Sequence, residues 1–130
     1  MSLEEEELTG KIIGAAIDVH RELGPGFIES FYENALVIRL KEIGLKSKQQ
    51  DPIIVYFHGI QVGKHRLDLI VEQKIVVDLK SVKAFESAHF SVVRSQLRAC
   101  GLRHGLLLNF SKPALEIKRV IADSSSPTDP

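Results

Sequence analysis

The sequence predicts an α/β (α+β) domain whose elements follow the order ααβββαββ. Apolar residues recur at steps of three or four over residues 8–23, 28–43 and 87–100, which is the period of a helix with one buried face. Five shorter segments are rich in Val, Ile and Leu and are bounded by turn residues, as strands are. Because helices and strands do not alternate regularly, this order favours a layered sandwich over regular βαβ winding.

Glycine and proline mark the ends of the three predicted helices. Gly24 can cap the first helix in a left-handed conformation, and Pro25 cannot continue it. Gly44 stops the second helix and Gly101 stops the third. The predicted strands are residues 53–57, 61–71 with a bulge near Gly63, 75–80, 104–110 and 115–121.

Length and composition place these elements in one domain. The chain has 130 residues, which is enough for one sizeable core and too short for two. We expect a single domain over residues 1–130, with its core at about 8–121 and frayed ends at 1–7 and 123–130. The hydrophobic fraction of 44% excludes a disordered chain. No apolar run approaches the roughly 18 residues that a membrane span needs.

The cysteine count and the first residues bear on the compartment. Cys100 is the one cysteine of the chain, which excludes an internal disulfide and favours a reducing environment. The start, Met1-Ser2-Leu3 followed by four Glu, lacks the basic and apolar regions of a signal peptide. We therefore expect a cytoplasmic protein with no membrane partner.

The charges balance overall but are unevenly distributed. Lys and Arg total 17, and so do Asp and Glu. Residues 36–104 contain twelve basic and six acidic side chains, so this stretch could present a basic surface to an anion such as nucleic acid. Solvated charges scattered over several elements explain the same count equally well.

The strongest signal for a site is a predicted hairpin over residues 66–80. If residues 72–74 form its loop, Asp68 lies opposite Asp78, and Lys80 follows on the same side. Facing carboxylates repel, so the pair favours a hard divalent cation. Lys80 would then orient a water or neutralise an oxyanion. The alternative is a solvent-facing side whose acids form ordinary surface ion pairs.

The choice of Asp68, Asp78 and Lys80 is supported by the apolar side of the same hairpin and by the other acid-x-Lys copies in the chain. An acid-x-Lys pattern occurs three times, at residues 72–74, 78–80 and 116–118. The first is the predicted loop, and the third reads as the solvent face of the last strand. Only the middle copy follows an apolar strand and faces another acid. The predicted core side of the hairpin consists of Leu67, Leu69, Ile75, Val77 and Leu79.

Glu29, Tyr32 and Gln96 are polar residues on otherwise apolar helix faces. Glu29 is costly to bury unless it is paired or metal-bound, although the helix dipole also favours an acid in the first turn. Tyr32 and Gln96 are candidates for substrate contact, with a place in the core or at its rim as the alternative. The five histidines lack the spacing of a zinc site, and Cys100 fits the core better than a nucleophile.

The candidate residues lie within a longer stretch of the chain that resembles a known protein family. Residues 26–32 fit the Gly-x-x-Glu-x-x-Tyr signature of the GxxExxY protein family, and the resemblance covers about residues 8–121. Other matching segments are 19–24, the Asp68 strand, 77–80, 105–110 and 117–120. This family resembles a compact branch of the PD-(D/E)XK nuclease-like superfamily. The resemblance implies a mixed sheet flanked by helices.

The resemblance also implies a Mg²⁺-dependent (or Mn²⁺-dependent) nuclease. It makes Glu29 the helix acid and Asp68 the strand acid, while Asp78 and Lys80 form the (D/E)-x-K pair. The three acids are the expected metal ligands, and all four residues are the expected catalytic set. We expect the three carboxylates to converge on one spot. DNA or RNA is the expected partner, and a homodimer is left open because C2 dimers are the commonest oligomers.

Two departures from the family pattern keep other functions open. Asp78 stands where many relatives have Glu, and Val92 and Gln96 replace the Gln and Tyr that many members carry in the following helix. The alternative is a non-catalytic binding or scaffold module that keeps the fold, with or without the metal. A hydrolase of small phosphoesters is a third candidate, which weak salt dependence would distinguish from a nucleic-acid binder.

Overall fold

A computed structural model describes residues 3–122, with side chains from Glu5 onward. In chain order the elements are α1 (Leu3–Leu23), α2 (Glu29–Glu42), β1 (Ser47–Phe57), β2 (Ile60–Val71), β3 (Ile75–Lys80), α3 (Ser87–Cys100), β4 (His104–Asn109) and β5 (Glu116–Ile121). This is the predicted order ααβββαββ. No helix within the described range is long and apolar enough to cross a membrane.

The five strands form one mixed sheet in which they lie in chain order, from β1 at one edge to β5 at the other. β3 and β4 are parallel and are connected through α3, whereas the other neighbouring pairs are antiparallel. The mixed sheet flanked by helices is therefore confirmed. The pairing of Val71 with Ile75 and of Leu69 with Val77 confirms the predicted register beside the loop, whereas the predicted pair of Asp68 and Asp78 lies beyond the last regular pair.

Helices cover both faces of the sheet. α1 and α2 pack on one face, over a core that includes Leu69, Val77 and Leu79. α3 packs on the other face, over a second core that includes Ile70 and Val76. Because side chains alternate along a strand, the side of β3 that carries the candidate acid is the side covered by α3. It is not an open, solvent-facing surface.

Leu67 departs from the prediction, because it packs in the second core and not with Leu69 on the other face. The alternation of β2 is interrupted at Asp68, where pairing with β3 has ended. Gln50 of β1, which lies between the partners of Leu69 and Leu67 and has no ladder partner of its own, has a positive φ of 52°. This local irregularity turns Leu67 towards α3.

Two elements are longer than predicted. α1 begins at Leu3, so it includes residues 3–7, for which we expected frayed ends. The Glu5 carboxylate lies 2.8 Å from Nε2 of buried His104, and acids in the first turn favour a helix. β1 begins at Ser47 because its polar first half pairs in register with the buried end of β2. The other predicted frayed residues, 1, 2 and 123–130, lie outside the described range.

Candidate active site

The candidate site lies where β2 separates from β3. Regular pairing ends at Leu69 and Val77. The next side chain of β2, the carboxylate of Asp68, accepts the backbone N–H of Leu79 at 3.0 Å. A side-chain oxygen thus takes over a bond that a backbone carbonyl would make in a continuous ladder. As a result, the Asp68 carboxylate is held in the gap between two strands, beside Asp78.

Asp78 is a buried carboxylate whose partners are incomplete. The residue is 5% exposed. Its Oδ1 lies 3.4 Å from Nζ of Lys80, whereas its buried Oδ2 accepts no hydrogen bond from any described residue. Leaving a buried carboxylate oxygen without a donor is costly, and such atoms in native proteins call for an ion, a ligand or a water. Asp78 therefore has an acceptor oxygen beside Asp68 that a proton or a bound cation can occupy.

The electrostatic environment of Asp78 disfavours its charged form. Desolvation by burial is the largest cause, and a proton shared with Asp68 and repulsion from that carboxylate add to it. The ammonium of Lys80 acts in the opposite direction. Together they raise the pKa of Asp78 from 3.8 to about 8. A cation bound between the two acids would relieve this cost, and such shifts are frequent at functional sites.

Glu29 reaches the end of β3 but makes a separate contact. It is the first residue of α2, and its Oε1 accepts the backbone N–H of Ser81 at 3.2 Å. Ser81 directly follows Lys80. The described part of the chain contains no group of three or more His, Cys, Asp or Glu side chains arranged to hold a metal ion. The structure thus brings Asp68, Asp78 and Lys80 together, and it does not gather the third carboxylate into the same cluster.

A comparison with known families agrees with this arrangement. A profile of the PD-(D/E)XK nuclease superfamily matches residues 6–120. The chain belongs to the PD-(D/E)XK nuclease superfamily. No curated protein and no solved structure matches the chain. Within the superfamily, the GxxExxY signature at residues 26–32 stays a resemblance.

In this superfamily member, Tyr32 has the contacts of a core residue. It is fully buried, and its ring stacks on Phe110 with the ring centres 4.5 Å apart. Its hydroxyl donates to the carbonyl of Gly24 at 2.5 Å and accepts the N–H of Phe27 at 3.1 Å. Tyr32 thus closes the turn between α1 and α2. These contacts support the core alternative over substrate contact.

Gln96 is also buried, on the covered side of α3 with Val93 and Leu97. Its Oε1 has no hydrogen-bond partner among the described residues. Burial agrees with the core alternative. The unpaired oxygen leaves substrate contact by Gln96 as an untested prediction.

Asn109 is a residue of this region that sequence reasoning did not single out. It pairs with Lys80 across β3 and β4 and is fully buried. Its side-chain amide donates to the carbonyl of Val82 at 2.8 Å, and its Oδ1 accepts the N–H of Val82 at 3.1 Å. Asn109 therefore fixes the path of the chain just after Lys80. The signal that could have revealed it is a polar residue at the end of an apolar strand.

Proposed function

We propose that this chain is a nuclease that hydrolyses phosphodiester bonds of DNA or RNA with Mg²⁺ or Mn²⁺. The observation that carries the proposal is the pair of half-buried Asp68 and buried Asp78. One Asp78 oxygen has no hydrogen-bond partner among the described residues, and the other lies 3.4 Å from Nζ of Lys80. Membership in the nuclease superfamily supports the same chemistry. The basic excess of residues 36–104 supports an anionic polymer as substrate.

The residues suit a hard divalent cation. Mg²⁺ prefers oxygen ligands and is usually held by one or two carboxylates together with waters and substrate phosphate, so two acids are enough. Asp68 and Asp78 would hold the ion, and Glu29 would support the site from its position at Ser81. When bound, the ion would supply positive charge at a phosphoryl oxygen and favour ionisation of a water.

Lys80 would act on the reacting groups directly. Its side chain is 27% exposed, so its ammonium can meet a substrate while it stays beside Asp78. It would donate hydrogen bonds to the attacking water and to the oxygens on which negative charge develops. Because Asn109 fixes the residues that follow, the end of β3 is held in position for this task.

Labelled single- and double-stranded DNA and RNA, incubated with Mg²⁺, Mn²⁺ or EDTA, test the proposal. We expect cleavage by the wild type only with a divalent ion and strongly reduced cleavage by Lys80→Ala. Lys118→Ala is the matched control, because Lys118 belongs to another acid-x-Lys copy and is exposed on β5. Equal cleavage by wild type and Lys80→Ala would indicate a contaminating enzyme.

A non-catalytic nucleic-acid-binding or scaffold module is the second candidate. Two observations favour it: Asp68 already accepts the Leu79 N–H, and no third acid joins the pair in the described chain. Under this alternative, the wild type binds labelled nucleic acid in a salt-dependent manner but cleaves none of the substrates with any ion.

A further inference from the structure

The hairpin of β1 and β2 extends beyond the sheet as a two-stranded arm, which comprises residues 52–66. β2 pairs with β3 only over residues 69–71, so the arm has no third strand beside it in the described chain. Its base is held by Ile53, which packs against the second core. A 3.2 Å hydrogen bond between Nε2 of His65 and Oγ of Ser95 adds a link to α3. The arm is therefore an anchored ribbon whose outer part is exposed to solvent.

Two cations and an aromatic ring share one face of the arm. Lys64 lies across from Ile54, and Arg66 lies across from Pro52. Because paired residues share a face and side chains alternate along a strand, Tyr56 lies on this face as well. Tyr56 is 61% exposed, and both cations are exposed. Neither Lys64 nor Arg66 forms a salt bridge with another described residue. This face therefore offers positive charge and a ring to a partner.

The tip of the arm adds two more rings. Phe57 is 62% exposed and, by alternation, lies on the opposite face from Tyr56. The ring of His58, in the turn, stacks on Phe57 with the centres 4.0 Å apart and an interplanar angle of 13°. Three consecutive residues thus expose ring systems on both faces of the tip. Exposed rings of this kind are platforms on which further planar groups stack.

The charge of the arm matches a polyanion. Residues 52–66 contain Lys64 and Arg66 but no Asp or Glu. Proteins that bind single-stranded nucleic acid combine basic groups along the phosphate backbone with aromatic side chains on which successive bases stack. The arm contains both kinds of group. In charge and in ring content it is therefore complementary to a nucleic acid.

An unpaired strand fits the arm better than a duplex does. A duplex stacks its bases on one another and presents base edges in its grooves, which hydrogen-bonding side chains read. The arm instead exposes aliphatic side chains beside its rings, namely Ile54, Ile60 and Val62. Apolar side chains of this kind contact bases by inserting between unstacked neighbours. The arm is therefore suited to the faces of bases, which an unpaired strand exposes.

The position of the arm connects it to the candidate active site, because β2 runs from one to the other. Arg66 precedes Asp68 by two residues, which is roughly 7 Å along a strand. Phe57 pairs with Ile60, which precedes Asp68 by eight residues, or roughly 26 Å. A strand held at the site would thus meet the cations first and the rings of the tip further out.

We propose that the arm binds single-stranded DNA or RNA and guides it into the candidate active site. Unpaired bases stack on Tyr56, Phe57 and His58, and phosphates lie against Lys64 and Arg66. The choice of a nucleic acid as partner rests on the proposed function. The arm narrows that function, because it makes an unpaired strand the preferred form of the substrate.

Fluorescence anisotropy tests the arm with labelled strands of about 20 nucleotides, longer than most single-strand sites, and with the matching duplexes. All binding is measured in EDTA. We expect the wild type to bind DNA or RNA strands at least tenfold more tightly than the duplexes. Tyr56→Leu and Phe57→Leu keep an apolar side chain but remove a ring, so each should weaken binding by about tenfold. Tyr56→Phe keeps the ring and should stay within about twofold of wild type.

The salt dependence of binding tests the two cations. Lys64→Gln and Arg66→Gln should each reduce the slope of log K against log salt by about 0.7, the value for one phosphate contact of a single strand. Lys118→Gln is the matched control, because Lys118 is exposed on β5 outside the arm, and it should keep the slope of the wild type. Circular dichroism and urea melts of every variant verify that the fold is kept.

Tighter binding of duplexes than of single strands would overturn the proposal, as would wild-type affinity in both Tyr56→Leu and Phe57→Leu. Arm variants that change the molar mass in light scattering but not the affinity for strands would overturn it and identify a protein interface. A protein that binds strands through the arm but cleaves none with Mg²⁺ or Mn²⁺ would contradict the proposed function alone. Cleavage by a wild type whose affinity does not depend on the arm would contradict the arm alone.

Discussion

Two copies of the same acid-x-Lys pattern lie on strands that flank β4, yet their environments differ. On β3, Asp78 is 5% exposed and its pKa is raised to about 8. On β5, Glu116 is half-buried and accepts a hydrogen bond from Nδ2 of Asn109 at 3.2 Å, and Lys118 is exposed. A three-residue pattern therefore makes a candidate site in one place and an ordinary strand surface in the other.

The difference comes from the neighbouring strands. β3 lies between β2 and β4, and β2 contributes Asp68 at the point where the two strands separate. β5 is at the edge of the sheet and pairs with β4 alone. Burial and a facing acid are thus properties of a central strand. They cannot be obtained from the pattern itself.

The largest expected effect is on turnover. Lys80→Ala should reduce kcat by roughly a hundredfold or more, because its ammonium would stabilise charge that develops in the transition state. Lys118→Ala should stay within about twofold of wild type, as expected for an exposed charge away from the site. Steady-state cleavage of labelled nucleic acid by both variants measures the contrast. Equal losses in the two variants would contradict it.

Divalent ions should stabilise the protein by binding the acids beside β3, and Glu116 on β5 should not contribute to this stabilisation. At a concentration about a hundredfold above Kd, Mg²⁺ or Mn²⁺ should raise the free energy of unfolding of the wild type by about 2.7 kcal/mol. Asp68→Asn should gain far less, whereas Glu116→Gln should gain as much as the wild type. Urea melts with the ion and with EDTA measure these shifts.

The same melts in EDTA test whether the two acids repel. Asp68→Asn removes one of two adjacent charges at nearly constant volume, so we expect it to be at least as stable as wild type without metal. A clearly destabilised Asp68→Asn, together with a wild type that no ion stabilises, would make Asp68 a structural acid that serves only the Leu79 N–H.

Stability without metal should fall as the pH rises. The pKa of Asp78 is raised from 3.8 to about 8 in the folded state, so between these values the folded chain binds more protons than the unfolded chain. The destabilisation caused by ionised Asp78 in the folded state is absent below pH 3.8, increases between pH 3.8 and about 8, and is complete above about pH 8. We expect a loss of roughly a few kcal/mol from this group, seen in urea melts at a series of pH values in EDTA.

Asp78→Asn is the control for the pH dependence of stability. It should remove the part of the decrease in unfolding free energy with pH that Asp78 causes. Glu116→Gln should keep the slope of the wild type. An unchanged slope in Asp78→Asn would show that another group causes the pH dependence.

The smallest effect is expected at Glu116 itself. Glu116→Gln keeps an oxygen that can accept the bond from Asn109. Removal of a partly exposed charge should therefore change the free energy of unfolding by less than about 0.5 kcal/mol, as measured by urea melts in EDTA at neutral pH. A loss of several kcal/mol would mean that the environment of β5 is more like that of β3 than the structure indicates.

Several parts of the fold could be predicted because their causes are local. α3 and β3 have the predicted bounds, and Gly101 caps α3 with a positive φ of 70°. The register of the hairpin follows from its short turn, in which Glu72 and Gln73 both have positive φ. The same register led to Asp68, Asp78 and Lys80 before the structure brought them together.

Other parts depend on contacts between residues far apart in the chain. Alternation shows which side chains share a face of β3, but it does not show that α3 covers the face of Asp78. The irregular backbone at Asp68, which turns Leu67 to the second core, is likewise not visible in the local pattern. The role of Asn109 depends on the parallel pairing of β3 with β4.

The sequence by itself determined the order of the elements, most helix ends, the hairpin register and a match to the superfamily, since each arises from neighbours along the chain or from a motif. Only the tertiary structure decided the burial of Asp78, the lack of a hydrogen-bond partner for its Oδ2 among the described residues and the separate position of Glu29. The physical reason is that burial and carboxylate repulsion depend on which distant elements pack together, and this packing sets the pKa of an acid.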